Sequence, residues 1–142
     1  MKAAIHWAES TSAKGLRQGR KLTQAELRTA RDMGVLHPEL IRLVVGPVPL
    51  PTSGLLKAAM ARMGIGDDVE GLTLGYALLI HQDFSGPTDF VLAHECRHVH
   101  QFEGTDGLAS FIRIYLEQIA EFGYLLAPWE VDARNAAWIL EG

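Results

Sequence analysis

The chain has 142 residues, 48% of them apolar, and a formal charge of -4, the size and apolar content of one domain able to bury its own core without staples. A single cysteine, Cys96, excludes an internal disulfide and a cysteine-built zinc site, and fits a reducing compartment. No stretch reaches the roughly 18 apolar residues of a membrane span, and the opening MKAAIHWAESTSAKG lacks the apolar run of a signal peptide, so the expectation is one domain over residues 1–142, soluble and cytoplasmic.

The charge is unevenly spread: residues 1–31 carry seven Lys/Arg against two Glu, +5, and the remainder carries -9. Residues 1–21 therefore read either as a flexible basic arm or as a solvated helix face docked on an acidic body. Basic and aromatic residues are not interleaved, which argues against nucleic acid as a partner. In Leu22-Thr23-Gln24-Ala25-Glu26-Leu27, Thr23 is placed to cap a helix, Glu26 to complete a capping box, and Leu22 with Leu27 to form a hydrophobic staple; Gly34 ends that helix. Leu40-Ile41-Arg42-Leu43-Val44-Val45 is branched and apolar enough for a strand, stopped by the alternating prolines Pro47, Pro49 and Pro51.

Thr52 or Ser53 opens a second helix that ends at Gly64, and Gly66-Asp67-Asp68 reads as a turn. Residues 72–80, rich in β-formers and bounded by turn residues, read as one strand, left through a loop over residues 81–87. Thr88 and Asp89 suit the start of the next helix, which Gly104 ends. From Leu108 to about Leu126, Phe111, Ile112, Tyr115, Ile119 and Phe122 recur three or four residues apart, while Arg113, Glu117 and Glu121 argue against a membrane role. Pro128 suits the first turn of a last helix holding Trp129, Glu130, Asp132 and Arg134. The expected fold class is α+β, several helices packed on a small sheet.

The chemistry concentrates in LAHECRHVHQFE, residues 92–103. A helical residue advances about 100°, so His94 and His98 differ by only about 40° and both imidazoles can grip one ion. Glu95 lies about 100° from His94, beside such an ion and not on it, where a general base belongs. His100 is about 200° round from His98 and Cys96 about 200° from His94, so His100 reads as an outer or surface residue and Cys96 as core. Gln101 shares the histidine face, lining the cleft or bonding a ligand's partner. A catalytic zinc takes three protein ligands and keeps an open position. Glu130, in a first helical turn beyond a long helical excursion, is the better third ligand, with Asp132 as runner-up or as the outer carboxylate orienting a histidine.

HECRH followed about thirty residues later by WEVDAR resembles the gluzincin branch of the zincin metallopeptidases over roughly residues 72–134. The resemblance implies a minimal zincin-like domain with zinc on His94, His98 and Glu130, Glu95 as base, and residues 73–80 as the strand preceding the active-site helix. The metzincin branch is excluded, because Gln101 and Gly104 stand where that branch places a glycine and a histidine. The expected function is zinc-dependent hydrolysis of a peptide or protein substrate by a zinc-activated water, with the strand holding an extended peptide by edge pairing and no membrane partner. Tyr124, Tyr115, Tyr76 and His81 all remain open as stabilisers of the oxyanion. The alternative from another class is a non-catalytic zincin-like module that binds metal or a protein partner.

Overall fold

The computed structural model describes residues 1–51, 54–62, 69–81 and 89–141. The expected caps at Thr52, Ser53 and Thr88, the turn over 66–68, the helix end at Gly64 and the loop over 82–87 lie outside the described residues. Among the described residues six helices, α1 (Lys2–Gln18), α2 (Gln24–Asp32), α3 (Gly54–Arg62), α4 (Asp89–Glu103), α5 (Leu108–Leu126) and α6 (Pro128–Glu141), pack on three strands, β1 (Arg42–Val45), β2 (Gly71–Leu74) and β3 (Ala77–Ile80). The fold class is α+β. No helix of the described residues is long and apolar enough to cross a membrane.

The sheet runs β1-β3-β2, with β1 parallel and β2 antiparallel to β3. The single strand expected over 72–80 is instead a hairpin. Gly75 has φ 72° and, among the described residues, none other than glycine has positive φ, so the two-residue loop Gly75-Tyr76 shows the positive-then-negative φ pattern of a type II′ turn, whose twist suits a hairpin. Nothing in the apolar composition of the run marks this reversal except Gly75 itself. The first strand is shorter than expected, because Pro38–Leu40 forms a 3-10 turn before it.

β3 is buried along its whole length because both of its faces are covered. Leu78 and Ile80 point with Leu43 into a core shared with Val91, Val99 and Cys96. Ala77 and Leu79 point with Leu74 the other way, against Ala4, Ala8, Phe111, Ile112 and Leu116. The period-2 alternation of the strands thus divides the molecule into α1 and α5 on one side and α2, α4 and α6 on the other.

Residues 2–18, which the charge pattern left open as an arm, form α1 and lie along the sheet. Its inward stripe is small, Ala4, Ala8, Ser12 and Gly15, and a Cβ at Gly15 would stand 3.1 Å from the Ala77 Cβ, so the helix axis sits close on β3. The Ser12 hydroxyl donates to the Leu74 carbonyl (2.7 Å), while Lys2, Lys14 and Arg17 are exposed.

α2 begins with the expected capping box: Thr23 Oγ1 accepts from the Glu26 N–H (3.2 Å) and Glu26 Oε1 from the Thr23 N–H (2.8 Å). Hydrogen bonds from Arg20, chief among several causes, hold the Glu26 carboxyl down at about 2. Its folded pKa lies below the unfolded one, so this contribution is present above the ordinary carboxylate range and is lost as pH falls through about 2. Thr23→Ala is expected to cost about 1 kcal/mol and Thr23→Ser close to nothing, read as the shift in urea midpoint.

Candidate metal centre

α4 carries both histidines on the face that packs against α6 and α5. The rings stand 4.9 Å apart at 80° to one another. Glu130, in the first turn of α6, reaches between them: Oε1 lies 3.0 Å from His94 Nε2 and Oε2 lies 3.1 Å from His98 Nε2. The Trp129 N–H donates to Gln118 Oε1 (2.9 Å), tying the start of α6 to α5. The Tyr115 hydroxyl donates to Glu130 Oε2 (2.7 Å).

His94, His98 and Glu130 present three ligand atoms all within 4.8 Å of one another. Two imidazole nitrogens and a carboxylate oxygen are a donor set that zinc accepts. In a tetrahedron with bonds of about 2.0–2.1 Å neighbouring donors stand about 3.3 Å apart, close to the two nitrogen-oxygen separations here. Those two contacts run to different oxygens of Glu130, and one ligand atom from each residue lies within 4.8 Å of the others, so the residues fit a metal ion once the triad closes around it.

The Glu130 side chain is 2% exposed and that of His98 5%, so the carboxylate charge is removed from water and requires a cation beside it. Burial alone would raise the Glu130 pKa, but the hydrogen bonds from His94 and His98 outweigh it and hold the carboxyl below its usual range. Burial likewise pulls the His98 imidazole down, and the bond to Glu130 and its charge overturn that, pushing it up to about 9.

Glu95 reaches toward β2. The Thr73 hydroxyl donates to Glu95 Oε1 (2.8 Å) and lies 3.0 Å from the Glu95 carbonyl. A Cβ at Gly71 would stand 3.0 Å from Glu95 Cδ, so the absence of a side chain at that position gives the carboxylate its room. Gly71 and Thr73 lie on the same face of β2, two residues apart, and form the wall against which Glu95 rests. Thr73 was not singled out from the sequence; its one signal was a polar residue between Leu72 and Leu74 in an otherwise apolar strand.

Two cavities meet at Glu95. One, of about 60 Å³, is walled mainly by apolar side chains, among them Leu72, Leu74, Phe111 and Leu116, and also touches His98 and Glu130. The other, a more open cleft of about 350 Å³, is lined by Phe90, Val91, His94, Tyr124 and Arg134. Tyr124 borders both. It follows a break in α5 at Gly123 (φ 77°, ψ 166°), a left-handed position at which glycine avoids strain. Burial first, then the charges of Glu130 and Glu95, push the Tyr124 phenol up, so it keeps its proton.

The other residues singled out from the sequence stand elsewhere. Asp132 touches neither histidine: it accepts from Arg97 Nε (2.8 Å) and from Gln101 Nε2 (2.9 Å), and Gln101 Oε1 in turn lies 2.7 Å from His98 Nδ1. His100 Nδ1 lies 3.0 Å from the Gly34 carbonyl on the α2 side of α4. Cys96 is buried in the core, its thiol pushed up chiefly by burial. The Tyr76 hydroxyl donates to Glu103 (2.8 Å), and the His81 N–H to the Glu70 carbonyl (2.9 Å).

His94→Ala and His98→Ala are each expected to abolish retention of zinc through gel filtration, and His100→Ala to retain it, as measured by elemental analysis. Equal loss in all three would overturn the ligand assignment.

No known protein family, curated protein or solved structure matches the chain.

Proposed function

We propose that the protein is a zinc-dependent peptide hydrolase of the gluzincin kind, with His94, His98 and Glu130 as ligands and Glu95 as general base. One observation carries the reading: a ligand triad of the right donor type is bordered by a second buried carboxylate, Glu95, which is held by Thr73 outside the triad and lines the same cavities. A metal site that served stability alone would gain nothing from such a neighbour, whereas hydrolysis requires one.

Zinc held there would polarise a water and the scissile carbonyl. The chain's own residues supply the rest. Glu95 takes a proton from the water and passes it to the leaving amine. Tyr124, keeping its proton and bordering both cavities, is the donor favoured for the oxyanion, because Tyr115 is engaged with Glu130 and Tyr76 with Glu103. Edge pairing of an extended peptide falls to β2, since β3 is the central strand. The antiparallel register, continued by the His81 to Glu70 bond, turns the main-chain N–H and C=O groups of Gly71 and Thr73 outward from β3.

The test is elemental analysis of protein purified without added metal, followed by a peptide-library cleavage assay before and after chelation. Stoichiometric zinc with chelator-sensitive cleavage is expected. Zinc without cleavage leaves the metal-binding module in place of the enzyme, and no zinc overturns both.

A further inference from the structure

His98 is held at both ring nitrogens, and the second contact belongs to a hydrogen-bond chain whose direction is fixed from its far end. Arg97 on α4 donates from Nε to Asp132 Oδ2 (2.8 Å) and from a terminal nitrogen to Oδ1 (3.2 Å), and a further terminal nitrogen donates to the Met33 carbonyl at the end of α2 (3.0 Å). The Asp132 carboxylate can only accept. Gln101 Nε2 stands 2.9 Å from Asp132 Oδ2 and 2.9 Å from the Trp129 carbonyl, which also can only accept. Both hydrogens of the Gln101 amide are thereby committed, and its oxygen faces His98 Nδ1 at 2.7 Å. An amide oxygen has no proton to give, so His98 Nδ1 must carry the hydrogen.

We infer that Gln101, set by Asp132 and Arg97, is a positioning residue that keeps a proton on His98 Nδ1, so that Nε2, the atom facing Glu130, is the nitrogen that gives up its hydrogen and turns its lone pair to a metal. The inference rests on the metal-site reading and adds a division of labour to it. Glu130 stands on the metal side of the ring, and Gln101 sets the other side. The pattern also accounts for Asp132, which acts on His98 only through Gln101. All three side chains lie between α4 and the first turn of α6, so the interhelical contact that brings Glu130 to the histidines also orients one of them.

Gln101→Leu is expected to weaken zinc binding by about 10–100-fold in chelator competition. In histidine-selective 15N NMR of the zinc-loaded protein, the native chain shows a protected His98 Nδ1–H, and Gln101→Leu loses that protection. A purely structural role would leave the resonance in place. The exchanged pair Gln101→Glu with Asp132→Asn keeps an acceptor toward His98 and a donor-acceptor match between positions 101 and 132, while giving up the bond to the Trp129 carbonyl and the one from Arg97 Nε. It is expected to bind zinc within about tenfold of native, and Gln101→Glu alone more weakly than the pair. Native protein that takes up no zinc overturns the metal reading together with this inference. Native protein that binds zinc while Gln101→Leu binds it equally tightly, with the Nδ1–H still protected, overturns the inference alone. If Gln101→Leu does not fold, an exchanged pair no better than Gln101→Glu overturns it.

Discussion

Glu95→Gln is expected to retain zinc at native stoichiometry and to lower peptide hydrolysis by about 10²–10⁴-fold, the range of a lost general base. The amide is nearly isosteric with the carboxylate, and one of its atoms remains an acceptor for the Thr73 hydroxyl, so the contact between α4 and β2 survives. The space beside Gly71 suits either group, because it is set by the missing Cβ and not by charge. What disappears is basicity alone. Glu95 lies outside the ligand triad, so the metal has no reason to leave. Elemental analysis and initial rates on a fluorogenic peptide, measured on the same preparation, check both halves. Turnover within tenfold of native would remove Glu95 as the base, and loss of zinc would make it a ligand.

The parts of this arrangement that the sequence discloses are local. A residue every 100° places His94 and His98 on one face of α4 and Glu95 off it, whatever surrounds the helix. A proline followed two residues later by an acid marks the start of α6, and the Thr23 to Glu26 spacing marks that of α2. Where periodicity is weak the reading weakens. The buried stripe of α1 consists of Ala4, Ala8, Ser12 and Gly15, small residues that do not by themselves mark a docking face, so its packing against the sheet is legible only in three dimensions. The hairpin is hidden for the opposite reason: apolar residues on both sides of Gly75 merge two strands into one run. On α5 the apolar recurrence continues past the core, since Ile119 is buried but Phe122 is 46% exposed where the helix leaves the body before Gly123. The long-range contacts of the site, Thr73 to Glu95, Tyr115 to Glu130 and Arg97 to Asp132, join residues with no fixed spacing, and only the fold brings them together.

Binding of zinc is expected to release close to one proton at about pH 7 and to remove an alkaline loss of stability that the metal-free protein shows. In the metal-free site the His98 pKa is raised to about 9, against about 6.5 in an unfolded chain. Between those values the folded protein holds more protons than the unfolded one, so stability falls as pH rises. The contribution is whole below about 6.5 and gone above about 9, and amounts to about 3 kcal/mol as an upper bound. Glu130 gives the mirror image: its pKa is depressed, so its contribution is present above the ordinary carboxylate range and lost as pH falls. These limbs are one ion pair seen from two sides and are not summed. Zinc competes with the Nε2 proton for the same lone pair, so its apparent affinity climbs about tenfold per pH unit until the ring deprotonates unaided. Calorimetric titration in two buffers of different ionisation enthalpy counts the proton, and urea unfolding from about pH 6 to 9.5, with and without chelator, traces the limb. A metal-free profile that stays flat across that range, with zinc binding that releases no proton, would mean that His98 and Glu130 do not share a charge, and the buried carboxylate would then need a different cation to justify its place.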